Sequence, residues 1–250
     1  MSLRSDTGLS AEVGRLRAAL TQREQESTAK EQQLERYAAD LRESFKRERA
    51  QAEQLRRSYK ATVRALSNAV EARDAYTGKH AERVTAYGLE ISRTLGLPVD
   101  DAPELEFGFL LHDIGKVAIP DAILYKPETL SESERELMAQ HPLIGADIVR
   151  GIEFLAGAVP VVRSHHERWD GGGYPDGLAH DQIPVEARAF AVADVLDALT
   201  TDRPYRPASP LAVARAMIVA ETGTHFDPQV IDVFTTIPDA TFLRIASELR

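Results

Sequence analysis

Residues 9–70 contain no proline and repeat apolar side chains at helical spacing, and that stretch commits the chain to a long helix before anything else is decided. The series runs Val13, Leu16 and Leu20, then Leu34, Tyr37, Leu41, Phe45, Ala52, Leu55, Tyr59, Leu66 and Val70. Phe45, Ala52, Tyr59 and Leu66 lie seven apart, and Leu34, Leu41 and Leu55 share a second register that skips Glu48. A narrow seam flanked by Glu, Arg and Gln fits a coiled coil. If continuous, the helix is on the order of 90 Å long at about 1.5 Å per residue. The seam turns polar between Glu24 and Lys30. Two readings stand: a parallel homodimer that carries a signal from an input domain or partner protein, or a single charged helix packed on its own domain.

The chain changes character near residue 70. Residues 1–66 are expected to form the helical signalling or dimerisation segment, and 67–250 a compact helical domain. Apolar-periodic stretches cover 103–113, 131–150, 156–169, 184–200, 209–222, 228–236 and 239–250, and no alternating run supports a sheet. Ser131 with Glu134 spells a capping box. Pro184, Pro210 and Pro228 fall where first helical residues belong, the last two behind the capping types Ser209 and Asp227. Loops rich in proline and glycine separate these helices at 119–127 and 170–184.

Composition narrows the chemistry. The chain has no cysteine, so disulfides and thiolate metal sites are excluded and any metal must rest on His, Asp or Glu. Absence of cysteine also fits a reducing cytoplasm. A net charge of −9 argues against binding DNA or RNA polymers. No apolar run suits a membrane span.

Five of the seven histidines, His80, His112, His141, His165 and His166, sit beside other potential ligands or on helices of the second region, whereas His180 and His225 fall in loops. His112-Asp113 closes the apolar run Phe107–Leu111, where a polar pair is costly to bury unless something compensates. A divalent cation would do so, and so would a single backbone carbonyl. His165-His166 precede Glu-Arg-Trp-Asp-Gly-Gly-Gly-Tyr-Pro, ending at Pro175, whose glycines allow a loop to fold against a ligand. Asp194 and Asp197 share one face of an apolar helix. Asp197 could instead bond the segment Thr200–Arg203. Imidazole and carboxylate ligands suit Fe, Mn, Zn, Co or Ni.

This pattern resembles the HD-GYP family of HD-domain phosphohydrolases over residues 67 to about 235. The matching text is Asp74–His80 with Arg83-Val84, Leu111–Lys116, Ile119–Leu124 with Lys126-Pro127, His141-Pro142 with Gly145, His165–Pro175, Asp194–Leu199 and Arg203–Arg206. The resemblance implies an all-α HD-domain bundle and a phosphodiesterase that hydrolyses cyclic di-GMP to pGpG and/or GMP in bacterial second-messenger signalling. It implies metal ligands at His80, His112, Asp113, His141, His165, His166 and Asp194. Asp113 is the expected bridging carboxylate. Lys116 is expected to hold the scissile phosphate or assist proton transfer, and Tyr174, Arg203 and Arg206 to contact substrate or place the loop. Some family members have a Glu, which helps hold a third metal, where this chain has Tyr76. A phenol, with a pKa of about 10, is a poor ligand, so two divalent ions are expected, Fe or Mn first, with Ni, Co or Zn possible. Alternatives from the same residues are a cyclic di-GMP receptor with little turnover and an HD hydrolase acting on another nucleotide.

Overall fold

The computed structural model describes residues 4–73, 79–202 and 206–249. Every regular element among them is a helix, as the sequence pattern requires. The chain divides after Tyr59 into two compact units.

The first unit is formed by the helix α1 (Arg4–Glu71) up to Tyr59. Residues 12–58 are exposed throughout, and the seam is no exception: Leu34 is 66% and Phe45 62% exposed. A single copy of the chain leaves these apolar side chains uncovered.

The second unit begins with the last turns of α1. There Val63 is fully buried, and Ser67 Oγ donates to the Leu110 carbonyl at 2.8 Å. Among the described residues ten further α-helices follow: α2 (His80–Thr94), α3 (Pro103–Leu110), α4 (Asp121–Leu124), α5 (Glu132–Met138), α6 (His141–Arg150), α7 (Val159–Ser164), α8 (Val185–Thr200), α9 (Leu211–Ala220), α10 (Pro228–Thr236) and α11 (Asp239–Glu248). The central element is α8. It is apolar nearly all round, which marks a helix surrounded by others. Ala189, Phe190, Val192, Ala193 and Leu196 are fully buried, and its alanines let α2 approach closely. Val84, Ile91, Phe109, Ile218, Phe226, Phe234 and Phe242 complete the core. Burying each such side chain contributes about 1.5–3 kcal/mol.

Three of the long periodic stretches are shorter than the sequence pattern suggests. The stretch 103–113 stops at Leu110, 156–169 is helical in α7 only to Ser164, and 131–150 splits into α5 and α6. The split has a plain cause. Pro142 has no N–H to give the Met138 carbonyl four residues back, so α5 ends and α6 restarts. The Ser131–Glu134 capping box is present. Pro228 opens α10 behind Asp227, whose carboxylate accepts from Gln229 N at 2.8 Å. Pro184 and Pro210 stand one position earlier, as caps with extended ψ, so Ser209 caps nothing.

Candidate metal centre

Three histidines share one local design. His112, His141 and His165 each sit just past the end of a helix, respectively α3, α5 and α7. The last carbonyls of a helix lack intrahelical partners. Each imidazole takes such a carbonyl three residues back. Nδ1–H donates to Phe109 O at 2.9 Å from His112, to Met138 O at 2.8 Å from His141, and to Val162 O at 2.9 Å from His165. The Met138 carbonyl is the one Pro142 leaves free. A carbonyl only accepts, so Nδ1 must carry the proton, and Nε2 of the neutral ring is left with a lone pair. These three Nε2 atoms point inward, over a floor made by Phe190, whose ring lies 4.8 Å from His112 and 6.0 Å from His165.

Asp113 stands among them. One carboxylate oxygen lies 3.2 Å from His141 Nε2 and 4.0 Å from His165 Nε2, and the other lies 3.2 Å from His112 Nε2 and 2.7 Å from Lys116 Nζ. Glycine makes this convergence possible. A Cβ on Gly115 would fall 1.9 Å from the His141 carbonyl oxygen and 2.6 Å from Gly145 N. Only a hydrogen at 115 lets the turn 114–118 lie against the start of α6 and bring His141 to Asp113.

His80 is held differently. It is the first residue of α2, as His141 is of α6, but its ring does not turn back to the end of the helix before it. Its Nδ1 instead meets Asp197 of α8 at 2.7 Å, and Arg83 grips the same carboxylate through Nε at 2.7 Å and Nη2 at 3.1 Å. Burial works against the Asp197 charge, but His80 and Arg83 outweigh it and hold its pKa below the usual carboxylate value. The Nε2 of His80 then faces Asp194, 3.4 Å away.

Two groups of ligand atoms result, Asp113 with His141, His165 and His166, and His80 with His112 and Asp194; within each, the atoms lie inside 4.8 Å of one another. All seven residues expected as ligands are thus brought together. The donor set fits cations on a further ground. His141 Nε2 and His165 Nε2 approach to 3.2 Å, yet both rings already place their protons on Nδ1. Two lone pairs facing each other beside a carboxylate repel unless positive charge lies between them. Burial, then the neighbouring imidazoles, push the His165 pKa well below its usual value, and burial foremost takes His166 down to about 4. Burial also opposes charge on His112, but Asp113 and Asp194 outweigh it and raise its pKa. For Asp113, burial is outweighed by Lys116 and His112, which hold the carboxyl well below its usual range.

The segment after His166 folds back over the site. Tyr174 N–H donates to the His166 carbonyl at 3.2 Å, and the Tyr174 ring lies 4.8 Å from the His166 ring. Burial pushes the Tyr174 phenol up to about 12. A Cβ on Gly173 would come within 2.4 Å of Arg168 N and 2.6 Å of the His166 carbonyl oxygen, so the return needs glycine there. Glu167 ties the loop down by accepting from Asp176 N at 2.8 Å and Leu178 N at 3.0 Å. Arg206 gives a guanidinium N–H to the Ala198 carbonyl. Arg203 and Tyr76 lie outside the described residues.

Several supporting residues have roles that the sequence reading left open or did not see. Asp197, singled out beside Asp194, gives its carboxylate to His80 rather than to the described residues that follow it, where Thr201 N–H reaches its backbone carbonyl. Arg83 three residues after His80, and Asp197 three after Asp194, each share a helix face with a ligand, which was the available signal. Glu71 accepts from Ala81 N at 2.5 Å, and Arg73 holds the strip after Lys116 through Val117 O at 2.6 Å and Asp121 at 2.5 Å. Nothing in the pattern singled these out.

Comparison with known proteins gives a consistent answer. The family described as HD domain matches residues 64–230. A cyclic di-GMP phosphodiesterase response regulator, RpfG, of Xanthomonas campestris is 38% identical over 215 residues, covering 84% of this chain and 54% of the relative. A 3'3'-cGAMP-specific phosphodiesterase of Vibrio cholerae is 39% identical over 181 residues, covering 72% of this chain and 35% of the relative. The chain therefore spans about half, or less, of the length of these relatives. Among solved structures, a cyclic GMP-AMP specific phosphodiesterase of V. cholerae shares the fold, with a TM-score of 0.53 at 21% identity over 74% of this chain and 53% of that one.

Proposed function

This chain belongs to the HD domain family, in its HD-GYP branch, and we propose that it is a metal-dependent phosphodiesterase that opens cyclic di-GMP to pGpG and/or GMP. The observation that carries the proposal is the convergence of Nε2 lone pairs and carboxylates in two adjoining groups, with Asp113 turning one oxygen to each. His80, His112 and Asp194 would hold one divalent ion, Fe or Mn first, and His141, His165 and His166 the other, with Asp113 between them. Such an ion pair supplies Lewis-acid polarisation of a phosphodiester and a nucleophilic water at neutral pH.

The chain's own groups supply the rest. Backbone carbonyls and Asp197 fix the tautomer of four imidazoles, so the ligand atoms need no rearrangement. Lys116, anchored on Asp113 and backed by the strip that Arg73 secures, places an ammonium at the rim where a non-bridging phosphate oxygen gathers charge. Phe190 and the returned Tyr174 loop limit water around the cluster. Arg203 and Arg206 remain proposed contacts for the second phosphate or a guanine. We also propose that the uncovered seam of α1 pairs two copies of the chain, making the segment a route for signals from partner proteins. Among the described residues no helix is long and apolar enough to cross a membrane.

The test is chromatography of nucleotides after anaerobic incubation of the purified chain with cyclic di-GMP and Fe(II) or Mn(II), beside Asp113→Ala. Product only with the unaltered chain is expected, and the pGpG to GMP ratio tests the two-ion count. No product from a metal-loaded chain would reject the proposal. Similarity to cGAMP-specific relatives favours a second reading, hydrolysis of 3'3'-cGAMP, so that nucleotide belongs in the same assay.

A further inference from the structure

We propose that Asp197, clamped by Arg83, is a positioning residue that fixes the tautomer of His80 and thereby makes one half of the metal centre separately removable. The inference rests on the metal reading above and deepens it. Its ground is the different way His80 is anchored. The other three inward-facing imidazoles draw an acceptor from the end of the helix they follow, within three residues in sequence. His80 opens α2 as His141 opens α6, but where His141 turns back to the end of α5, the ring of His80 turns to a carboxylate of another helix. Its acceptor comes from 117 residues away, on α8.

The clamp also determines which atom of Asp197 meets which partner. Arg83 is donor-only, and with Nε and Nη2 at 2.7 and 3.1 Å it demands acceptors on both carboxylate oxygens. One of those oxygens, Oδ2, also takes the His80 Nδ1–H at 2.7 Å. An ionised carboxylate serves both partners; an amide cannot. With Asn at 197, the single amide oxygen goes to the shorter Arg83 contact, at Nε, which puts the NH2 in the place of Oδ2, facing His80 Nδ1. The ring proton then moves to Nε2, the atom directed at Asp194. His80 can no longer give a lone pair to a cation, while His141 and His165 keep their carbonyl anchors and Asp113 its contact with Lys116.

The experiment titrates Mn(II) into the metal-free chain and counts free Mn(II) by electron paramagnetic resonance, for the unaltered chain, Asp197→Asn and Arg83→Gln. The unaltered chain is expected to bind two ions. Asp197→Asn should bind one with unaltered affinity and the other about 10–100-fold more weakly. Arg83→Gln, which keeps the carboxylate but frees it to turn, should weaken the same single ion by less, and it carries the test should Asp197→Asn not fold. A structural defect would weaken both ions together. The ring ¹⁵N shifts of His80 in the metal-free protein give an independent readout, with the proton on Nδ1 in the unaltered chain and on Nε2 in Asp197→Asn. Two ions bound as tightly in both variants, or a His80 proton that stays on Nδ1, overturns the inference and leaves the proposed function standing. An unaltered chain that binds no Mn(II) overturns both.

Discussion

The two ligand groups are unequal in how they are made. The group of His141, His165, His166 and Asp113 comes from helix ends, with the anchored imidazoles fastened to carbonyls three residues away. The group of His80, His112 and Asp194 depends on a pair between α2 and α8, far apart in sequence. The imidazoles of the first half that carry anchors are aimed by local folding, and their convergence needs only that the turn at Gly115 pack on the start of α6. The second requires that the core assemble before a ligand is aimed. Partial unfolding of α2 should therefore cost the His80 half first.

The most severe way to erase this difference is to remove what both halves share. Asp113 turns an oxygen to each, so Asp113→Ala should empty both and lower turnover to background, on the order of 10³-fold or more. Metal content by mass spectrometry and product by chromatography check it. Retention of one ion would show that Asp113 serves one half only.

Gly115 offers a smaller change that falls on one half. Ala at this position places a carbon against the His141 carbonyl and Gly145 N, both backbone atoms that cannot swing aside. The start of α6 must move, at a cost of about 1–3 kcal/mol. Thermal unfolding should show the loss, and the weakened ion should be the one held by His141 rather than by His80. Equal weakening of both would mean that the halves are mechanically one.

How much of this was legible follows the same division. The locally anchored ligands of both halves are written in adjacent letters: His112-Asp113, His141-Pro142 and His165-His166 announce ligands because helix ends and their anchors lie within four residues. The proline that splits α5 from α6 was visible, but its effect, a carbonyl freed for His141, became clear only from the hydrogen bond. The long-range half was half legible. His80 and Asp194 stood out as ligand types, yet no periodicity links position 80 to position 197, and Arg83 reads as an ordinary helix-surface residue. Glu71 and Arg73, at the end of a seam read as a coiled coil, carried no signal for their roles beside α2 and Lys116. The same seam shows the converse case, since its spacing fixes the helix while leaving its partner to be found by experiment.

Protons distinguish the halves as well. His166 has an ordinary value of 6.5 and titrates near 4 in the folded chain, and His165 is displaced in the same direction, both mainly by burial. Between about pH 6.5 and 4 the unfolded chain binds more protons than the folded one, so stability falls as pH falls. His112, with a raised pKa, contributes stability that is fully present below its unfolded value and lost as pH rises through its folded value, so it opposes the trend only in the upper part of the range, near and above about pH 6.5, and His166→Gln leaves that part unchanged. The metal-free chain should lose on the order of 1–2 kcal/mol from His166 between pH 7 and 5. Melting in chelator at both pH values measures it, and His166→Gln should flatten the slope. A slope that His166→Gln leaves untouched would place the titration elsewhere.

The smallest expected effect is at Tyr174. Its ring packs on His166, and its backbone N–H already secures the loop to the His166 carbonyl. Tyr174→Phe keeps the ring and the backbone bond and removes only a hydroxyl that stays protonated at neutral pH, since its pKa is about 12. Metal affinity in the local half should change less than about 3-fold, below 1 kcal/mol. If the hydroxyl donates to bound nucleotide, KM for cyclic di-GMP should rise while both ions remain, which would separate substrate contact from ligand support within one residue. A lost ion in Tyr174→Phe would instead mean that the phenol, and not only helix ends, holds the His166 side of the centre together.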